Sequence, residues 1–190
     1  MKTIADLKNI SGFYDKPWLV LGTGPGLSKL FELDPAVNIH NYNIWAINHA
    51  VLFVKHVTIA SLADYEAVHE ITPHPFSCEA MLTRAKNFNV PAYYYSRIHY
   101  FNYEGDSCTL PGVTYLPCSS SSSLAFMVLG MLGIKEIYSL GLDGGKGDKH
   151  PFFDFFDSVR RYAPIKIDYT QHNEGCYHWC REYDIKWGKL

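Results

Sequence analysis

Short continuous apolar runs alternate with helical patterns along this chain. Trp18-Leu19-Val20-Leu21 is apolar at every position and runs into glycine, the pattern of a strand buried on both faces. Asn43-Ile44-Trp45-Ala46-Ile47 repeats it, and His56-Val57-Thr58-Ile59-Ala60-Ser61 adds β-branched residues that suit a pleated surface. Val90 to Tyr95 and Val113 to Pro117 predict two further strands, with a loop from Arg97 to Pro111 between them that shows aromatics but no period. Helices are predicted from Pro25 to Phe31, with proline in the first turn, and from Leu62 to Ile71, stopped by Pro73 and Pro75. Leu124 to Leu132 is apolar nearly all round, the mark of a central helix, and Gly133 follows as its cap. Ile137 to Leu142 predicts the next strand, Glu174 to Glu182 the last helix and Asp184 to Trp187 the last strand.

Strands separated by helices imply right-handed crossovers and a sheet covered on both faces. The expected fold is therefore α/β: a single Rossmann-like domain over residues 1–190 with a mostly parallel sheet, helices on both faces and a polar, lid-like insertion at about 144–173. No internal repeat or interdomain linker is visible. A chain of 190 residues, 47% hydrophobic and 19% charged, has the balance of a globular domain. Its formal charge of −2 argues against a long nucleic-acid partner, which requires a cationic face. Leu124 to Ile134, the longest apolar stretch, is too short to span a bilayer. The N-terminus carries Asp6 early and does not read as a signal peptide. The five cysteines have no framework spacing and read as reduced thiols of a cytoplasmic protein.

Ligands of open parallel sheets bind beyond the carboxyl ends of the strands. Four segments are expected at that edge: the turn Gly22-Thr23-Gly24-Pro25-Gly26, the Asn48-His49 end of the second strand, Ser61 to Asp64 after the third, and Asp143-Gly144-Gly145. Glycines in the first permit a tight turn and close approach of backbone to a ligand, and helix-start N–H groups attract phosphate. Leu27 stands where the dinucleotide fingerprint needs its third glycine, and the phosphate-loop pattern fails too. The same turn also fits a purely structural strand-to-helix connection. Ser120, Ser121 and Ser122 lie in a run of five serines that opens the central helix; one serves as an N-cap, and the others suit a phosphate or ribose. Asp143 suits ribose hydroxyls, a metal or an Asx turn. His172, placed in a polar loop, and His150 are the candidate general bases. Cys176 and Cys180 share a helix face and read as buried thiols rather than a metal site.

The turn Gly22-Thr23-Gly24-Pro25-Gly26-Leu27 resembles the Gly-x-Gly-Pro-Ser-Leu turn of the bacterial sialyltransferases of the Campylobacter type. The related motility-accessory-factor glycosyltransferases and archaeal 6-hydroxymethylpterin diphosphokinase-like proteins share it. Gly26 stands in place of the family's serine. The block from Ser120 through Gly133-Ile134-Lys135-Glu136-Ile137-Tyr138-Ser139-Leu140-Gly141-Leu142-Asp143 resembles their serine-rich stretch, apolar helix and Gly-x-Lys-Glu-Ile-Tyr-x-x-Gly-x-Asp, and Asn48 matches an asparagine after strand two. Ser122 replaces a glycine, Cys118 a loop arginine, and His172 falls short of the family's base, which leaves His150 as the alternative. The resemblance covers roughly the core half of the chain. It implies a glycosyltransferase taking a CMP- or UDP-linked sugar and a glycan acceptor, inverting and metal-independent, in bacterial or phage surface-glycan synthesis. The glycine turn, Asn48, Ser120 to Ser122, Asp143 and Gly144 would hold the nucleotide, Ser61 and Asp64 the substrate, and tyrosines such as Tyr162 the departing phosphate. Two other readings stand beside it: a Mg²⁺-dependent diphosphokinase with Asp64 and Asp143 as ligands, and a non-catalytic nucleotide-binding module. Homo-oligomerisation is left open.

Overall fold

The computed structural model describes residues 4–28, 30, 39–62, 67, 70–71, 74–84, 98–104, 107–109, 116–117, 120–142, 146–147, 167–168 and 170–190. Its strands are β1 (Trp18–Leu21), β2 (Asn43–Ile47), β3 (His56–Leu62), β4 (Ser77–Arg84), β5 (Ile98–Glu104), β6 (Ser107–Thr109), β7 (Leu116–Pro117), β8 (Glu136–Leu140), β9 (Lys146–Gly147), β10 (Ile167–Asp168) and β11 (Lys186–Lys189). Two α-helices are described in full, α1 (Ser121–Met131) and α2 (Thr170–Tyr183), with 3-10 turns at Ile4–Asn9, Pro25–Ser28, Ile39–Asn41 and Asn48–Phe53. Among the described residues one sheet runs in the order β11-β8-β1-β2-β3-β4-β5-β6-β7. Every neighbouring pair from β11 to β5 is parallel, and the β5-β6 and β6-β7 pairs are antiparallel. The fold is α/β, as the alternation of runs and helices implied.

β1 is an interior strand, third from the β11 edge, between β8 and β2. Trp18 pairs with Asn43 on one side and Ile137 on the other, and all four of its residues are buried. Successive side chains of a strand point to opposite faces. Trp18 and Val20 accordingly join a layer with Trp45, Ile47, Ile137 and helices α1 and α2, while Leu19 and Leu21 join Ile44, Ala46, Leu27, Val51 and Ile71 on the other face. α1 is buried from Ser122 through Gly130. Removing each large apolar side chain from water contributes roughly 1.5–3 kcal/mol, so the layer, not helix propensity, holds α1. Gly130 lets α2 approach: a Cβ there would meet the Tyr183 ring at 2.4 Å.

α1 is closed at both ends. Ser120 Oγ accepts from the Ser123 amide, and Ser123 Oγ accepts from the Ser120 amide, a reciprocal capping box. At the other end Gly133 adopts φ +89°, its N–H donates to Gly130 O, and Ile134 N–H donates to Leu129 O. That is the paired arrangement of a Schellman cap, with Gly133 in the predicted role.

Several expectations are corrected. The stretch from Arg97 to Pro111 is not a loop throughout, since β5 and β6 lie in it. The aromatics of β5, Tyr100, Phe101 and Tyr103, fall at both odd and even positions and hide the two-residue period. β4 was not foreseen: Ser77 to Arg84 interleaves Glu79 and Cys78 with Ala80-Met81-Leu82 and lacks a continuous apolar run. Leu62 ends β3 rather than starting a helix, although Ala67, Glu70 and Ile71 are helical as expected. β8 stops at Leu140, because Gly141 turns to φ +69°. α2 begins at Thr170, which puts His172 on the helix and not in a loop before it. Asp184 takes φ +53° after α2 and delays β11 to Lys186. The strand expected at Val90 to Tyr95 lies outside the described residues.

Candidate ligand site at the carboxyl edge

From β1 the sheet grows in sequence order toward β5 on one side, while β8 and β11 are added on the other. The gap between the carboxyl ends of β1 and β8 is thus a topological switch point, where open α/β sheets open a crevice to ligands. The glycine turn leaves β1 at this gap. Gly22 N–H donates to Leu140 O at 2.8 Å and Gly24 N–H to Gly141 O at 2.9 Å, so the β1-β8 ladder continues past both strands. A Cβ on Gly22 would stand 2.5 Å from Gly141 O, and one on Gly141 would stand 2.5 Å from Gly22 O. Both glycines are therefore required by backbone proximity alone. Leu27 N–H donates to Gly24 O, and its side chain is buried on the face opposite α1. Thr23 and Gly26 remain half-exposed. Gly26 lines a cavity of about 60 Å³ with Ser139, Leu140, Gly141, Leu142, Lys189 and Leu190. That space suits a phosphate-sized group rather than a whole nucleotide.

The serine tract is committed more fully than its sequence suggests. Ser120 and Ser122 are 9% and 5% exposed, and their hydroxyls lie 2.9 Å apart. Ser122 also bonds the Cys176 thiol across the α1-α2 contact. Burial pushes Cys176 up to about 12, the Ser122 bond opposing it in part. Cys180, half-buried, is pushed up to about 11 for the same reason. Ser121 is the member of the Ser120 to Ser123 group that keeps exposure. By the parallel topology, the start of α1 and the glycine turn share one edge, flanking it from opposite faces of the sheet.

Asn48, directly after β2, adopts φ +49°. Such left-handed backbone is uncommon outside glycine and is tolerated best by Asn and Asp. His49 follows, and its Nε2 lies 2.6 Å from Glu70 Oε2, with the two side chains 19% and 16% exposed. No sequence motif links residues this far apart; the only signal was a histidine immediately after a strand. Ser61 is 1% exposed and accepts a 3.0 Å bond from Trp45 Nε1, which takes its hydroxyl out of solvent. Asp64, Asp143, Gly144, His150 and Tyr162 lie outside the described residues, as do the side chains of Pro25 and His172. β9 and β10 pair antiparallel, Gly147 opposite Ile167, and both lie within the span 144–173 that the sequence marks as an insertion. Among the described residues no group of three His, Cys, Asp or Glu is placed to hold a metal, and no helix is long and apolar enough to cross a membrane.

The fold and this edge define an α/β protein built on a parallel sheet with a switch point beside its first strand. Compared with protein-family models, with characterised proteins and with solved structures, the chain finds no match.

Proposed function

We propose that this protein has a Rossmann-like, nucleotide-binding core and acts as a glycosyltransferase on a CMP- or UDP-linked sugar and a glycan acceptor, inverting and without a metal. The observation that carries the reading is the position of the glycine turn at the β1-β8 switch point, one strand from the strained Asn48. Gly22 and Gly24 shape the turn through their bonds to Leu140 and Gly141, and the partly exposed Thr23, Gly26 and Asn48 at the same edge are the proposed nucleotide contacts. In the serine tract it falls to Ser121 rather than to Ser120 or Ser122. The leaving phosphate gathers charge as the sugar departs, and preorganised donors at this edge stabilise it.

Amide NMR titration with CMP, CDP and UDP tests this, alongside hydrolysis of CMP- and UDP-sugars with and without EDTA. The expected result is shifts at Thr23, Gly26, Asn48, Ser121 and Leu142, with hydrolysis indifferent to EDTA. Absence of binding and turnover with every donor overturns the proposal. A strict magnesium requirement transfers it to the diphosphokinase reading.

A further inference from the structure

The cavity at the glycine turn is walled by the ends of two neighbouring strands, Ser139-Leu140 of β8 and Lys189 of β11, with Gly26 and Leu142 beside them. Of the described residues that line it, Lys189 alone carries an ionisable side chain. Among the described residues no carboxylate lies within ion-pair distance of that ammonium. It rests instead 5.2 Å from the centre of the Trp187 ring, a contact that positions a cation without neutralising it. Trp187 is itself fixed. Its ring meets Phe126 of α1 edge-on at 4.9 Å, and its Nε1 donates to Ser139 Oγ at 2.8 Å. Ser139 is 2% exposed. Its oxygen accepts from Trp187, so its O–H is the donor left over, and among the described residues no acceptor takes it. A buried hydroxyl without an acceptor is a cost that a bound acceptor relieves. A positive charge, a spare donor and no negative side chain around about 60 Å³ fit an anion.

We propose that Lys189 and Ser139 form a phosphate subsite in this cavity, the ammonium meeting the charge and the hydroxyl donating to a phosphate oxygen. The assignment rests on the nucleotide-binding reading above and deepens it, because it puts the nucleotide's phosphate on the β8-β11 side of the glycine turn.

Calorimetric titration of the full chain with CMP, cytidine and inorganic phosphate tests it. Wild type is expected to bind CMP at least about tenfold more tightly than cytidine, as hydrogen bonds to a charged group imply. Lys189→Met and Ser139→Ala are each expected to weaken CMP about tenfold or more, with cytidine affinity kept within about twofold. Lys189→Arg keeps most of the preference for CMP. Added salt weakens CMP binding to wild type and barely touches cytidine. If wild type binds CMP and cytidine alike, or Lys189→Met binds CMP as wild type does, the subsite is overturned while the nucleotide-binding reading survives. If wild type binds no nucleotide and cleaves no donor, that reading has failed, and inorganic phosphate decides the subsite alone. Phosphate binding that Lys189→Met abolishes sustains it, and no phosphate binding overturns it. Lys189 is exposed, so its substitution leaves folding intact even where Ser139→Ala, which strips Trp187 Nε1 of its acceptor, does not.

Discussion

At Gly22 and Gly141 one methyl group decides whether two strands can leave the sheet side by side. The obstacle to a Cβ at Gly22 is a carbonyl oxygen of the neighbouring backbone, which a rotamer change cannot move aside. Gly22→Ala should therefore cost toward the upper end of the ~1–3 kcal/mol typical of overpacking, read from urea denaturation midpoints. The buried thiol of Cys176 makes a second prediction. Burial favours its neutral form and lifts it from 9.0 to about 12 in the folded chain. The folded state thus keeps a proton that the unfolded state releases near 9.0, so this stabilisation is complete below 9.0 and declines as pH rises toward 12. Cys176→Ala should flatten the alkaline loss of stability by up to about 1.4 kcal/mol per pH unit. Equilibrium unfolding at a series of pH values checks it, and an unchanged slope would count against a buried thiol.

Among the elements, α1 shows how a capping interaction competes with a binding role. Ser120→Ala removes the acceptor for the Ser123 amide and should cost about 1 kcal/mol, within a range of roughly 0.5–2, measurable by thermal unfolding. A cost near zero would return the hydroxyl to ligand duty. Elements with continuous apolar runs were legible: β1, β2, β3, α1 and β8 all appear where Trp18, Ile44, Val57, Leu124 and Ile137 announce them. β4 was not, since the charged Glu79 interrupts the run although Met81 and Leu82 are fully buried. β5 was masked by aromatics at alternate and adjacent positions, which leave no contrast between odd and even residues to read. At the site, the edge positions of the glycine turn and Asn48 follow from local sequence. The His49–Glu70 pair does not, because two consecutive crossovers must fold before those residues meet. Equally, nothing local tells a capping serine from a binding one; Ser122 is settled by α2 packing over it through Cys176.

For the whole molecule, a nucleotide that binds only the folded chain must stabilise it by mass action. CMP at a hundredfold excess over its Kd should add about 2.7 kcal/mol, a Tm rise of roughly 5–10 °C for a chain of this size. Differential scanning fluorimetry across a CMP series reads it, and a flat Tm would contradict the proposed function. The place of β1 in the sheet also carries a kinetic consequence. Leu19 lies beside Ile44 on one flank and Tyr138 on the other, so this interior strand joins the early and the late parts of the polypeptide. On the ribosome, Trp18-Leu19-Val20-Leu21 emerges long before its second neighbour has been synthesised. Such distant pairing makes for slow folding, and until Ile137 to Leu140 arrives the nascent chain carries an open, wholly apolar flank that invites association with other chains.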